Sequence, residues 1–120
     1  MPVRSLRSSV LKWPDRDTVA HALRQWAQQT ARNHAELLRV GYFGSYARGD
    51  WGVGSDLDVV IVVDRAQAPF YRRAAAFDLD ALPVPAEALV YTLEEWNEVL
   101  RARTSRKGIP HEVVWVYPPQ

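Results

Sequence analysis

The segment from Gly41 to Val63 constrains the fold of this chain more than any other part. It reads G-Y-F-G-S-Y-A-R-G-D-W-G-V-G-S-D-L-D-V-V-I-V-V. One apolar run ends at Phe43, and two aspartates lead into a second run, the five β-branched residues Val59 to Val63. Glycines interrupt regular structure between the two runs. We therefore predict a strand, a tight turn, a short helix with a loop, and a second strand that begins with two carboxylates.

Asp56 and Asp58 are predicted to share one face of the second strand. Alternate side chains of an extended strand point the same way, so Leu57 takes the opposite face. Two carboxylates held this close repel each other strongly when they are partly buried. A cation between them relieves this repulsion, and hard oxygen ligands that leave room for water and phosphate suit Mg²⁺. The pattern therefore indicates a magnesium site.

Gly44 and Ser45 form the predicted tight turn. Gly44 lets the backbone turn sharply and lets a phosphate group approach it closely. Ser45 is predicted to cap a short helix over residues 46–48, whose free N–H groups attract anions. Because Gly44 ends one strand and Asp56 begins the next, these strands must be antiparallel for both sites to face one ligand. An anion site opposite a metal site suits transfer of a nucleotide from a triphosphate.

Length and composition indicate one folded domain. The chain has 120 residues, of which 48% are hydrophobic, so we predict a single domain over residues 1–120 with an irregular lead-in over residues 1–14. A net charge of +1 gives no basis for direct nucleic-acid binding. The absence of cysteine excludes disulfides and fits a cytoplasmic protein. No apolar run approaches the length of a membrane span, so no membrane partner is expected.

Apolar spacing predicts the elements on either side of the central segment. They are a helix that starts at Asp15 or Asp17 and stops near Asn33, a strand over residues 37–43, a central strand over 59–63, a helix over 69–80, a strand over 87–91, a helix from a Thr92/Glu95 capping box to Lys107-Gly108, and an edge strand over 113–117. A helical crossover makes the second and third strands parallel if they are neighbours. Glu87 then lies beside Asp56 and Asp58.

The pattern F-G-S, ten residues, D-L-D-V resembles the signature of the DNA polymerase beta-like nucleotidyltransferase superfamily. In so short a chain it resembles a minimal nucleotidyltransferase, the kind often paired with a HEPN-domain toxin. The signature covers about a fifth of the chain, and the order of elements extends the resemblance to most of it. The resemblance implies a nucleotidyltransferase fold of the α+β (mixed α/β) class, a small mixed sheet of about four strands with helices packed on it.

The resemblance also implies a third acid, usually an aspartate early in the next core strand. The matching residue is Glu87, whose extra methylene could shift a metal or proton-acceptor position by about an ångström. A second D-x-D pattern, at residues 78–80, competes for this role but is interpreted as a solvated helix end. Asp56, Asp58 and Glu87 are therefore the predicted catalytic and metal-binding residues.

Gly44, Ser45, Arg48 and Ser55 are the predicted nucleotide-binding residues. Arg48 lies one turn after Ser45 and could reach a triphosphate, and Ser55 could orient a neighbouring carboxylate. Either residue could equally be a surface or loop-capping residue. Trp51, in the loop over the site, could stack on a base or a partner.

The resemblance implies ATP as the donor, AMP as the transferred group and Mg²⁺ as the cofactor. The acceptor it implies is a hydroxyl group, such as that of a tyrosine, on a partner HEPN toxin, which would make the protein an antitoxin and part of a possible hetero-oligomer. One alternative is a catalytically weak binding module that neutralises the toxin by complex formation, which the glutamate at position 87 motivates. Another is a subunit of a small-molecule nucleotidyltransferase of the antibiotic-modifying type.

Overall fold

The computed structural model describes residues 13–102 and 112–119 of the chain. These residues form three α-helices and four strands. In chain order they are α1 Arg16–Asn33, β1 Leu37–Phe43, α2 Ser45–Arg48, β2 Leu57–Val63, β3 Ala86–Thr92, α3 Leu93–Ala102 and β4 Val114–Tyr117. Every one of these strands lies within two residues of its predicted bounds.

The strands form one four-stranded mixed sheet in the order β3-β2-β1-β4. β1 pairs antiparallel with β2, β2 pairs parallel with β3, and β4 pairs antiparallel with β1 at the sheet edge. The predicted antiparallel and parallel pairings are both confirmed. The chain has the α+β architecture of the nucleotidyltransferase fold that the resemblance implied.

β2 is the centre of the core because apolar groups cover it on both faces. Leu57, Val59, Ile61 and Val63 belong to one cluster with the buried stripe of α1, and Val60 and Val62 pack with Trp96 of α3 on the other face. Asp58 is the one residue of β2 that is not fully buried. A carboxylate at this position interrupts an otherwise continuous apolar strand, and packing alone does not favour it there.

The two longer helices begin where their capping residues predict. Asp15 is the N-cap of α1, and its carboxylate accepts a hydrogen bond of 2.9 Å from the Thr18 N–H. At α3, the Thr92 N–H donates to Glu95 (2.9 Å) and the Glu95 N–H donates to the Thr92 hydroxyl (3.1 Å). These reciprocal bonds are the predicted capping box. They fix the direction in which α3 leaves β3.

The predicted helix over residues 69–80 is wrong. The segment instead forms two 3-10 segments, Phe70–Ala76 and Leu79–Ala81, and neither contains a buried residue. The residues that anchor the region are Phe77 and Leu82, which are buried in extended conformation immediately after each 3-10 segment. Because burial is satisfied at the junctions, a continuous helical stripe gains nothing here.

Some expectations fall outside the described residues. These are most of the lead-in, including Val10 and Leu11, and the predicted helix end at Lys107-Gly108. The last residues of the lead-in do pack on the domain, since the Trp13 indole N–H donates to the Tyr46 hydroxyl at 2.9 Å. Among the described residues, no helix is both long enough and apolar enough to cross a membrane.

Candidate active site

The last residue of β1 and the first residues of β2 and β3 lie at the same end of the sheet. Phe43, the last residue of β1, pairs with Asp58, the second residue of β2. Asp58 in turn lies beside Glu87, the second residue of β3. Asp56 immediately precedes β2 and is exposed, as is Glu87. The mixed pairing therefore brings the glycine turn after β1 and the three predicted acids to the same end of the sheet.

Gly44 lies directly against the Asp58 carboxylate. Its backbone has φ 76° and ψ −148°, a conformation that residues with a side chain adopt only with strain. A Cβ atom at this position would overlap Oδ2 of Asp58. Glycine is therefore required twice here, for the backbone conformation and for the close approach of turn and carboxylate.

Ser45 does not cap α2 as predicted. The N-cap is Gly44, and no side-chain capping hydrogen bond is present. The Arg48 N–H already bonds to the Gly44 carbonyl at 2.9 Å, so the helical turn begins one residue earlier and Ser45 becomes its first residue. Ser45 is half-buried and remains next to the turn, where its hydroxyl is not committed to capping the helix.

The electrostatic environment of Asp58 is strongly acidic. Burial raises the pKa of its carboxyl above the ordinary value, and the charges of Glu87 and Asp56 raise it further. Arg48 lowers this pKa and Glu112 raises it, both to a smaller extent. Close carboxylates that destabilise each other's charge are typical of sites that hold a cation or move a proton.

Glu112 is a residue of this site that the sequence analysis missed. Its Oε1 accepts a hydrogen bond from the Gly44 N–H at 3.0 Å and lies 3.4 Å from Nη1 of Arg48. The signal that could have found it is the register of the edge strand. Because Tyr42 pairs with Val114 in an antiparallel ladder, continuing the register by two residues places position 112 opposite position 44.

A family model for the nucleotidyltransferase domain matches residues 23–115. This match covers α1 from Leu23 onward, the glycine turn, all three predicted acids and the start of β4. The chain belongs to the nucleotidyltransferase domain family. A candidate nucleotidyltransferase from Sulfolobus solfataricus has the same fold, with a TM-score of 0.60 and 19% sequence identity over 83% of this chain and 80% of that one. No curated protein sequence matches the chain.

Nucleotidyltransferase domains generally use a nucleotide substrate and a divalent metal ion, and the donor atoms present here fit such an ion. The site offers hard carboxylate oxygens whose mutual repulsion a cation would relieve. Within residues 13–102 and 112–119, no group of three or more His, Cys, Asp or Glu side chains is placed to hold a metal. An ion that takes one or two carboxylates and completes its shell with phosphate and water needs no such group. The ligand set Asp56, Asp58 and Glu87 stays a prediction.

The loop over the nucleotidyltransferase site is held by its own contacts. The Ser55 hydroxyl accepts a hydrogen bond of 2.8 Å from the Gly52 N–H, which is the loop-capping alternative rather than a contact to a carboxylate. Trp51 stacks on Tyr46 with ring centroids 5.5 Å apart and planes at 6°. One face of the Trp51 indole is therefore already paired within the domain.

A cavity of about 510 Å³ lies at the opposite end of the sheet from the acids. Its walls include Val63, the last residue of β2, together with Glu36, Arg73 and Phe77. The predicted acids Asp56, Asp58 and Glu87 do not line this cavity. Asp56 and Glu87 stand on an open surface instead, which bears on the kind of acceptor that can reach them.

Proposed function

We propose that this domain transfers AMP from Mg²⁺-bound ATP to a hydroxyl group of a partner protein, and that the partner is a HEPN toxin which the transfer inactivates. The observation that carries the proposal is the contact between the Gly44 turn and Asp58, with Glu87 beside Asp58 in the sheet. Their proximity supports the proposal, because nucleotide transfer needs an anion-binding backbone, a cation-binding carboxylate and a proton acceptor close together.

Each residue has a role that follows from its position. The Gly44 N–H and Ser45 hold the terminal phosphates, and Asp56 and Asp58 hold the ion, which when bound neutralises charge on the phosphate oxygens. Glu87 accepts the proton of the acceptor hydroxyl. The hydroxyl oxygen bonds to the α-phosphorus, the bond from that phosphorus to the bridging oxygen breaks, and pyrophosphate leaves.

The openness of the acidic end supports a protein acceptor over a small molecule. Small ligands bind in concave sites that cover most of their surface. Asp56 and Glu87 are exposed, and the cavity at Val63 lies at the other end of β2. A hydroxyl on the surface of a folded protein can reach such exposed groups without a pocket.

The test is label transfer from α-³²P-ATP with Mg²⁺ to a purified HEPN protein encoded beside this chain. The double variant D56A/D58A should lose transfer by at least about 100-fold, because both cation ligands are removed. The matched control is D78A/D80A, which removes the two exposed carboxylates of the second D-x-D pattern, one just before and one within a 3-10 segment, and should transfer at the wild-type rate. Transfer that survives in D56A/D58A overturns the proposal.

A second candidate function is neutralisation of the toxin by complex formation alone. The observation in its favour is that the described residues do not present a ready three-ligand metal cluster. Under this alternative, D56A/D58A neutralises the toxin at the same stoichiometry as the wild-type protein. Neutralisation that is lost together with label transfer leaves transfer as the function.

A further inference from the structure

We propose that Glu112 is a built-in competitor for the phosphate chain, and that it lowers the affinity of this site for nucleotide until Mg²⁺-bound triphosphate displaces it. This inference rests on the proposed function, because it assigns the Gly44 N–H and Arg48 to the triphosphate. It concerns the specificity of that site.

The contacts of Glu112 are those that a phosphate oxygen would make. Its Oε1 accepts the Gly44 N–H at 3.0 Å and lies 3.4 Å from Nη1 of Arg48. A single carboxylate oxygen thus contacts both the Gly44 N–H and the Arg48 guanidinium, the two groups that are predicted to bind the triphosphate. Since an N–H group directed at one acceptor is not available to another, phosphate can bind this donor only after Glu112 leaves it.

The charge around Glu112 argues that this contact is easily displaced. The charge of Glu112 disfavours the ionised form of Asp58, and the charges of Glu87 and Asp56 do the same. Its side chain is 30% exposed, and Arg48, its counter-charge, is 52% exposed. A solvated ion pair of this kind adds at most about 1 kcal/mol to the hydrogen bond that Glu112 accepts from Gly44. A triphosphate has more charge and more acceptor oxygens than one carboxylate.

The same charges discriminate between forms of the nucleotide. Four carboxylates and one arginine surround the turn, so a free triphosphate meets net repulsion. A triphosphate that arrives with Mg²⁺ neutralises part of this charge and brings a cation to Asp56 and Asp58. With Glu112 in place, the site therefore favours the metal complex over the free anion, and removing Glu112 weakens this preference.

The experiment measures the Kd of Mg²⁺-bound ATP and of free ATP by titration calorimetry at fixed ionic strength. E112A removes the acceptor and should bind Mg²⁺-bound ATP about 10-fold more tightly, which corresponds to about 1.4 kcal/mol. Free ATP should gain more than that. E112Q keeps an acceptor oxygen but loses the charge, so its affinity should lie between those of E112A and the wild-type protein.

The matched control is D50N. Asp50 also accepts a hydrogen bond from Arg48, at 3.3 Å, and is exposed, so this variant removes one nearby charge and leaves the Glu112 contact to Gly44 intact. Its affinity should change by less than about twofold. An equal gain in D50N and E112A would mean that general charge, not the Gly44 contact, sets the affinity, and would overturn the proposal.

A second measurement needs no variant. When Mg²⁺-bound pyrophosphate is added to ¹³C-labelled wild-type protein, the Glu112 carboxyl resonance should shift as it leaves the Gly44 N–H. Binding of pyrophosphate without that shift overturns the proposal. In the calorimetry, weaker or unchanged ATP affinity in E112A also overturns it, because that result is expected if Glu112 holds the metal. Absence of binding in every variant also overturns it. Tighter binding in E112A without label transfer to any protein would refute the proposed function alone.

Discussion

Gly44 can lie against the Asp58 carboxylate only because glycine has no side chain. We expect G44A to destabilise the fold by about 1–3 kcal/mol, because alanine is strained at this positive φ, and to reduce label transfer by at least about 100-fold. The second effect follows from the methyl group, which displaces the Asp58 carboxylate. Chemical denaturation and the transfer assay measure the two effects separately.

Gly54 supplies the control for that prediction. It also has a positive φ, of 87°, but a Cβ there would meet nothing within 4 Å. G54A should therefore cost a similar free energy of unfolding, about 1–2 kcal/mol, and keep most of the activity. If G54A lost transfer to the same degree as G44A, loop strain and not the Asp58 contact would explain both.

We predict that the charge of Asp58, which the proposed function requires, lowers the stability of the folded protein. Because its pKa is raised in the folded protein, the free energy of unfolding falls as pH rises from about 4 through the folded-state pKa and stays low above it. D58N removes the charge, so without metal it should raise the Tm at pH 7 by about 2 °C or more. Below pH 4 the difference from wild type should disappear.

Thermal unfolding by circular dichroism in the presence of a chelator checks the Asp58 prediction. D80N is the control, since Asp80 is exposed in a 3-10 segment and its substitution should leave the Tm nearly unchanged at both pH values. A D58N protein that is less stable than wild type at pH 7 would show that the carboxylates do not repel each other as their positions indicate.

At the residue scale, local sequence patterns predicted that the glycine turn and the acids lie together, but they did not predict the long-range contact of Glu112. The glycine turn and the D-x-D pattern follow from short spacings, so Gly44, Asp56 and Asp58 could be named from the chain alone. Glu112 lies 68 positions from Gly44, the residue that it contacts, and belongs to no motif. The prediction that Ser45 is the N-cap was wrong, because a serine at the start of a helical turn fits either the N-cap or the first helical position.

At the scale of elements, Arg73 ties the region after β2 to the start of α3. Its guanidinium bonds to both Glu95 oxygens, at 2.6 and 3.2 Å, and to the Val90 carbonyl at 3.1 Å. The bond from Arg73, and to a smaller extent that from the Thr92 N–H, holds the pKa of Glu95 below its ordinary value. One carboxylate thus closes the capping box and anchors the 3-10 segment.

We expect E95Q to destabilise the fold by about 1 kcal/mol at pH 7, allowing for the partial exposure of Glu95. A lowered pKa contributes stability that is present above the unfolded-state value and is lost as pH falls through the folded-state value. The difference between E95Q and wild type should therefore shrink below about pH 4.5. Urea denaturation across this range measures it, with the exposed neighbour E94Q as the control. A constant difference at all pH values would contradict the assignment.

The elements that could be predicted are those whose buried residues follow one regular spacing along the sequence. β2 is apolar at almost every position and α1 has one buried stripe, and both were placed correctly. Residues 69–80 have apolar side chains at helical spacing, yet Phe70 and Tyr71 are 41% and 79% exposed. There the tertiary contacts of Arg73 and the burial of Phe77 override local spacing, which no single-sequence pattern reveals.

At the scale of the whole molecule, nucleotide binding should stabilise the fold by mass action. At a ligand concentration 100 times the Kd, Mg²⁺-bound ATP should add about 2.7 kcal/mol to the free energy of unfolding and raise the Tm by several degrees. D56A/D58A should show no such increase, whereas D78A/D80A should behave as the wild-type protein does. Scanning fluorimetry with and without a chelator measures this, and an increase that persists with the chelator would argue against the metal.

The mixed pairing of the sheet also separates the working end of the molecule from the rest of its surface. β2 has seven residues, and at about 3.3 Å per residue its two ends are about 20 Å apart. The turn, the acids and Glu112 gather at one end, while the loop over residues 64–68 and the cavity at Val63 lie at the other. A protein that attached itself to the loop end would leave the reacting groups uncovered. Under the proposed function, a protein bound at the loop end would therefore not block nucleotide transfer at the acidic end.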